Sequence, residues 1–230
     1  MEIERSFGEF GLIFASDECG RGPLAGPVVA CTISVPDQEL DLFLKVLENI
    51  GVKDSKKLSS KKIKEIISIL GLNEKLKNPS FQKRKLNFSN FKFLEGYIVA
   101  LSNIYIDEKN ILRASLDAMK LGFMEIYKKN NSPEKILWLI DGPHAPKGQI
   151  FTNKNFRTEP IIKGDSKSKL IALASIVAKY YRDQMMNFYS EKYPDYHLEK
   201  NKGYPTKEHY DAIKKFGPTE IHRRSFRGVC

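Results

Sequence analysis

With 230 residues, the chain has room for one large or two small domains. A hydrophobic fraction of 41% supports a packed core and excludes general disorder, and no apolar stretch approaches the ~20 residues of a membrane helix. The formal net charge of +10 favours a polyanionic partner, a merely basic soluble enzyme being the plain alternative.

The start, Met1-Glu2-Ile3-Glu4-Arg5, lacks an apolar segment behind a basic one, so no signal peptide is expected and a cytoplasmic location is. The Gly11-Leu12-Ile13-Phe14-Ala15-Ser16 run predicts a buried strand leading into Asp17-Glu18-Cys19-Gly20-Arg21-Gly22-Pro23. The β-branched stretch 28–35 predicts a second strand paired with it as a hairpin. Leu42, Phe43, Val46, Leu47 and Ile50 give residues 39–50 helical spacing. Ser59 or Ser60 would cap a helix through Ile63, Ile66, Ile67 and Leu70, stopped by Gly71. Residues 79–88 read as a short basic strand or loop.

Phe91, Leu94, Ile98, Leu101 and Tyr105 again have helical spacing. Ile111, Ser115, Met119, Phe123 and Ile126 continue it as a long amphipathic helix to the polar Lys128-Lys129-Asn130-Asn131 break. Residues 136–140 predict a strand ending at Asp141-Gly142-Pro143. Residues 143–157 read as a polar loop, and Pro160-Ile161-Ile162-Lys163-Gly164 as a strand running into Asp165. A helix is expected from Ser166 to about Asn187, with Ala172, Ala174, Ser175 and Ala178 allowing close packing on a sheet. Two short helical pieces follow Pro194, one stopped by Gly217-Pro218. This mix predicts an α/β layer with helices on both faces over residues 1–188. Residues 189–230 are expected to form a helical extension packed on the same domain.

Asp17, Glu18, Asp141 and Asp165 each lie at a break in an apolar run, within three residues of a glycine. Any one alone reads equally well as a turn former or, for Asp165, a helix cap. Together, at strand ends of a basic α/β protein, they suggest a divalent-metal site acting on phosphate. Hard oxygen ligands suit magnesium or manganese, and two such ions roughly 3.5–4 Å apart can activate a water and stabilise a leaving oxyanion. Adjacent strand residues point to opposite faces, so Asp17 and Glu18 can share a site only if the strand ends or bulges there. Gly20 and Gly22 free the backbone for that, and Arg21 is placed to meet a phosphate, although a simple turn is an equal reading. A positive helix terminus would help keep Asp165 ionised. Cys19, Cys31 and Cys230 are odd in number and widely spaced, which argues for reduced thiols, with Cys19 as a small filler.

Residues 17–29, Asp-Glu-Cys-Gly-Arg-Gly-Pro-Leu-Ala-Gly-Pro-Val-Val, resemble the first signature of the bacterial ribonuclease HII family. Asp54-Ser55-Lys56-Lys57-Leu58-Ser59 and Ile106-Asp107-Glu108-Lys109-Asn110-Ile111-Leu112, with Ala114 and Met119, resemble its next segments. Asp141-Gly142, then Lys163-Gly164-Asp165 with 174–179 and Arg182-Asp183, resemble its later acidic motifs. Lys202-Gly203-Tyr204-Pro205-Thr206, Gly217-Pro218 and His222-Arg223-Arg224-Ser225-Phe226 resemble its tail. The resemblance runs in order along nearly the whole chain. Cys19 stands where the family commonly has alanine, and Asn201 where it often has histidine. The first motif arrives by residue 17, so the N-terminal substrate-binding domain usual in the related ribonuclease HIII is not expected.

The resemblance implies an RNase H-like fold and metal-dependent endonucleolytic cleavage of RNA in RNA–DNA hybrids. It also implies cutting 5′ of single ribonucleotides in duplex DNA, leaving 3′-OH and 5′-phosphate ends, with a role in ribonucleotide removal, DNA repair and replication. Asp17, Glu18, Asp141 and Asp165 become the catalytic set holding two Mg2+ or Mn2+ ions. Gly20, Arg21 and Gly22 become the loop at the 2′-hydroxyl and adjacent phosphate, and Tyr204 the ring on the following deoxyribose. Ser55 and Lys56 become further substrate contacts. The 2′-hydroxyl is what distinguishes RNA from DNA locally. The lysines around position 56, Lys83-Arg84-Lys85, Lys163, Lys167, Lys169 and the C-terminal arginines fit sequence-independent phosphate contact. A monomer is expected, and a sliding-clamp partner is left open because no short clamp-binding tail is evident. A non-catalytic hybrid binder would not need all four carboxylates. A Holliday-junction nuclease or strand transferase on the same fold is disfavoured by the glycine–arginine loop together with Tyr204.

Overall fold

The computed structural model describes residues 3–72, 82–129 and 135–230. Six strands form one mixed sheet, β1 (Leu12–Cys19), β2 (Val28–Pro36), β3 (Lys83–Lys85), β4 (Glu95–Leu101), β5 (Ile136–Asp141) and β6 (Phe156–Ile161), in the order β3-β4-β2-β1-β5-β6. The β1–β2, β2–β4 and β3–β4 pairs are antiparallel, whereas β1–β5 and β5–β6 are parallel. The hairpin read from 28–35 is therefore present. The helices are α1 (Asp37–Asn49), α2 (Ser60–Ile69), α3 (Asn103–Lys109), α4 (Ile111–Tyr127), α5 (Lys169–Lys192), α6 (Leu198–Asn201) and α7 (Lys207–Phe216).

Strand alternation divides the core. Ile13 and Ala15 of β1 join the α1, α2 and α5 side, whereas Leu12 and Phe14 join the α3–α4 side. Between the layers, Trp138 Nε1 donates to Ser16 Oγ (2.8 Å), Ser16 Oγ lies 2.7 Å from Thr32 Oγ1, and Thr32 donates to the Met119 carbonyl (3.2 Å). These buried hydroxyls are thus all partnered, as burial requires. A third cluster, including Tyr196, Leu198, Ala212, Ile213 and Ile221, packs the C-terminal helices against Leu24, Ala25 and Met186.

Several expected boundaries move. The helix expected over 91–105 is instead β4 followed, after Ser102, by α3, because Gly96-Tyr97-Ile98-Val99-Ala100-Leu101 is buried on both faces. An apolar run buried on both faces satisfies helical spacing by accident. The long helix also breaks at Asn110, whose φ of 65° separates α3 from α4. Phe156 and Arg157, read as loop, belong to β6. The helix after Asp165 starts three residues later than Ser166, because Ser168 caps it by accepting from Ile171 N at 3.1 Å. That helix, α5, runs on to Lys192, past position 189, where the C-terminal extension was expected to begin. Ser59 is the cap of α2, accepting from Lys62 N at 3.2 Å. Residues 79–81 and the Asn130-Asn131 part of the polar break lie outside the described residues.

Candidate active site

The parallel β1–β5 ladder ends at the Ser16–Ile140 pair, so Asp17 and Asp141 both stand just past it on neighbouring strands. Sequence reasoning required β1 to end or bulge between Asp17 and Glu18. It does neither: the β2 ladder continues in register through Asp17–Cys31, Glu18–Ala30 and Cys19–Val29. Instead, β5 stops pairing, and the free side of β1 lets the site wrap around the strand. Asp17 faces α5, where the Ser175 hydroxyl favours its ionised form, whereas Glu18 faces Leu112, Ser115 and Met119 of α4. Both still line one cleft of about 510 Å³, with Cys19, Gly20, Arg21, Gly22, Ser55, Lys56, Asp141, Asp165, Ser175, Lys179 and Tyr204. All ten residues singled out from sequence are therefore brought together there.

Local hydrogen bonds hold the acids. Asp17 Oδ1 accepts from Glu18 N, and Asp141 Oδ1 from Gly164 N, both at 2.6 Å. A Cβ at Gly164 would come within 2.7 Å of Ile171 Cδ1 and 3.1 Å of Asp141 Oδ1, so a side chain there would have to displace the Ile171 end and crowd the Asp141 carboxylate. Asp165 sits in a 3-10 turn, Gly164–Ser166, and does not cap α5. Lys56 Nζ lies 3.9 Å from Asp165 Oδ2, and Arg21 Nη1 lies 3.4 Å from Glu18 Oε1. Ser55 is buried with its hydroxyl 2.9 Å from Ser175 Oγ. His144 is exposed, and Cys19 is a free thiol whose pKa burial pushes up, which suits a filler.

The charge balance is unfavourable for the acids alone. Burial, then Glu18 and Asp141, raise Asp17 well above the usual carboxylate range. Burial pushes Glu18 up to about 7, with Arg21 opposing and Asp141 assisting. Burial, then Asp141 and Asp54, also raise Asp165, so the expected help from a helix terminus does not prevail. Among the described residues, no three His, Cys, Asp or Glu side chains are already drawn into a metal cage. Four carboxylates around an open cleft, with Asp17, Glu18 and Asp165 raised, are nevertheless hard oxygen donors suited to divalent cations.

Sequence reasoning assigned no role to Arg182 and counted Arg223 among the C-terminal arginines suited to phosphate contact; the structure corrects the latter, because the Arg223 guanidinium is buried and spent on backbone carbonyls. Both are fully buried. Arg182 donates to the carbonyls of Pro27 (3.2 Å), Lys202 (3.0 Å) and Ala25 (3.3 Å). Arg223 donates to those of Gly26 (3.0 Å), Arg21 (3.0 Å) and Gly20 (2.6 Å). Two guanidiniums thereby tie the glycine–arginine loop to the turn preceding Tyr204. Burial and Arg182 pull Arg223 down to about 9, which leaves it charged at neutral pH. A Cβ at Gly20 would lie 2.1 Å from Arg182 Nε, so this glycine is the slot through which the clamp reaches the loop.

A mixed sheet of this order, flanked by helices and carrying acids at the ends of its central parallel strands, defines the RNase H-like class of fold. The chain belongs to the ribonuclease HII family, whose model matches residues 14–229. It is 39% identical to ribonuclease HII of Clostridium acetobutylicum over 98% of this chain and 75% of that one. The Archaeoglobus fulgidus ribonuclease HII, solved in complex with PCNA, superposes with a TM-score of 0.65 at 22% identity, covering 94% of this chain and 95% of that one. A ribonuclease HIII solved with Mn2+, Bst-RNase HIII, gives 0.61 at 18% identity over 98% and 70% of the two chains.

Proposed function

We propose that this chain hydrolyses RNA in RNA–DNA hybrids and cuts on the 5′ side of single ribonucleotides embedded in duplex DNA. One observation carries the reading: the four carboxylates, the Gly20-Arg21-Gly22 loop and Tyr204 line one cleft. Asp17, Glu18, Asp141 and Asp165 would hold two divalent ions, Mg2+ or Mn2+, and manganese in the ribonuclease HIII structure supports that choice. When bound, such ions would supply an activated water and charge neutralisation at the leaving 3′ oxygen, which would give 3′-OH and 5′-phosphate ends.

The chain's own residues supply position and selection. The carbonyls of Gly20 and Arg21 are held by Arg223, leaving the loop's outer side to meet the 2′-hydroxyl and adjacent phosphate. Gly22 lies beside the Tyr204 ring, where an added Cβ would make an ordinary contact at 3.7 Å. Tyr204, 44% exposed, offers a flat face to the deoxyribose that follows. Lys56 and, through its backbone, Ser55 complete the substrate side. Such a site reads sugar chemistry and backbone, fitting ribonucleotide removal in DNA repair and replication. Residues 189–230 serve as an extension on the same domain that carries Tyr204. A monomer acting in the cytoplasm is the form we infer. No helix of the described residues is long and apolar enough to cross a membrane. The PCNA complex of the Archaeoglobus relative makes a sliding clamp the second partner to test.

The test is cleavage of a DNA duplex bearing one ribonucleotide, beside an RNA–DNA hybrid and an all-DNA duplex, with magnesium or manganese. Incision 5′ of the lone ribonucleotide, with the all-DNA duplex intact, is expected. Cutting of the hybrid alone would restrict the activity to longer RNA tracts, and binding without turnover would refute it.

A further inference from the structure

We propose that His209 and His222 are positioning residues: a buried imidazole relay with one defined proton order that fixes the main chain of Tyr204. This rests on the reading of Tyr204 as a substrate contact.

Both rings are fully buried, where an unpartnered ring nitrogen would be costly. Every nitrogen has a partner. Thr219 N lies 2.9 Å and Thr219 Oγ1 2.8 Å from His222 Nδ1. His222 Nε2 lies 3.1 Å from His209 Nε2, and His209 Nδ1 lies 3.0 Å from the Tyr204 carbonyl oxygen. The two ends determine the protons between them. A backbone N–H only donates, so His222 Nδ1 is bare and its proton sits on Nε2. A carbonyl only accepts, so His209 Nδ1 carries the proton and its Nε2 is bare. The central contact then runs from His222 Nε2–H to His209 Nε2, and each donor meets an acceptor.

The relay works only with neutral rings, because two charged rings would set N–H against N–H across 3.1 Å. Burial lowers the pKa of both histidines, that of His222 to about 4. Around them, Tyr196 packs its ring 5.2 Å from that of His222, and Arg224 adds positive charge that further opposes protonation.

What the relay holds is specific. The Tyr204 carbonyl also accepts from Thr206 N (2.8 Å), while Tyr204 N donates to Asn201 O (2.8 Å). Thr206 in turn caps α7 by accepting from His209 N (3.2 Å). The peptide on each side of Tyr204 is therefore tied down although its ring is exposed. Fixed backbone under a free aromatic face is what selection by stacking needs.

The proton order is read directly in the unmodified protein by long-range proton–nitrogen NMR of the histidine rings. The expected spectrum has His222 protonated only at Nε2 and His209 only at Nδ1 near neutral pH. The reverse tautomer on either ring, or a charged ring, overturns the proposal. Functionally, His209→Ala loses one hydrogen bond to a carbonyl, and the ratio of single-ribonucleotide to hybrid cleavage is expected to fall about fivefold. His209→Asn, whose amide N–H takes the place of Nδ1–H, should restore most of that ratio. A folded His209→Ala with an unchanged ratio overturns the proposal if Tyr204→Ala lowers it. If Tyr204→Ala itself leaves the ratio unchanged, the reading of Tyr204 fails and takes the positioning role with it, whatever the tautomers.

Discussion

Asp17 and Gly20, three positions apart on the chain, make opposite contributions to the same cleft. Asp17 is buried and held near Glu18 and Asp141, so its ionised form opposes folding while the proposed chemistry needs it. Asp17→Asn keeps the shape and removes that charge. Loss of activity beyond the roughly 100-fold typical of a metal site's outer ligands is expected, together with an unchanged or raised melting temperature. Retained cleavage would remove Asp17 from the catalytic set, and a lowered melting temperature would make it structural. At Gly20 the constraint is steric. Its φ is +96°, and an added Cβ would strike Arg182 Nε, which is locked by three carbonyls. Gly20→Ala should destabilise by about 2–4 kcal/mol, combining left-handed strain with overpacking. Urea denaturation measures it, and a change under about 0.5 kcal/mol, the usual size for a surface substitution, would show that the clamp yields.

At the level of elements, legibility followed how many faces each buries. Helices α1 and α2 bury one stripe each, and both helices and the Ser59 cap were readable, although the α1 stripe is Leu40, Phe43, Leu44 and Leu47, with Leu42 exposed. β4 is buried on both faces, so its alternation vanished and its residues mimicked a helix. The four acids were legible because apolar runs and glycines frame them. The way Asp17 and Glu18 share a cleft was not, since it depends on where β5 stops beside β1, a non-local fact. The Arg182 and Arg223 clamps were hidden for the same reason: their acceptors lie 155 to 203 positions away in the chain, or 20 for Lys202. Close packing of α4 on β2 gives a prediction at this scale. A Cβ at Gly122 would sit 2.9 Å from Thr32 Oγ1 and 3.1 Å from Thr32 Cβ. Gly122→Ala gains about 1 kcal/mol of helix propensity. Thr32 cannot swing aside without breaking its bonds to Ser16 and Met119, so overpacking of about 1–3 kcal/mol should outweigh the gain. A thermal melt of the variant at or above the parent's midpoint would show that the helix can shift.

For the whole molecule, the cleft and the C-terminal relay respond oppositely to acid. Glu18, held at about 7 in the folded chain against an ordinary 4.5, contributes stability that is fully present below pH 4.5 and lost as pH rises through 7. His222, at about 4 against an ordinary 6.5, contributes stability that is fully present above pH 6.5 and lost as pH falls through 4. The two windows overlap, and the shifts are of similar span. Between about pH 7 and about pH 5 these two offset each other, while the raised Asp17 and Asp165 add to the acid-side gain and the lowered His209 to the loss, so the metal-free protein should hold or gain stability on acidification. Divalent cations bind the deprotonated carboxylates, so magnesium withdraws the acid-side gain of the cleft and leaves the histidines unopposed. In saturating magnesium the protein should melt higher at neutral pH than without it and lose stability on acidification across that window. His222→Asn, which no longer titrates there, should lessen the loss. An acid loss without magnesium, or a magnesium-bound profile that follows the metal-free one, would mean that the cleft carboxylates and the relay are not the groups that set the acid response.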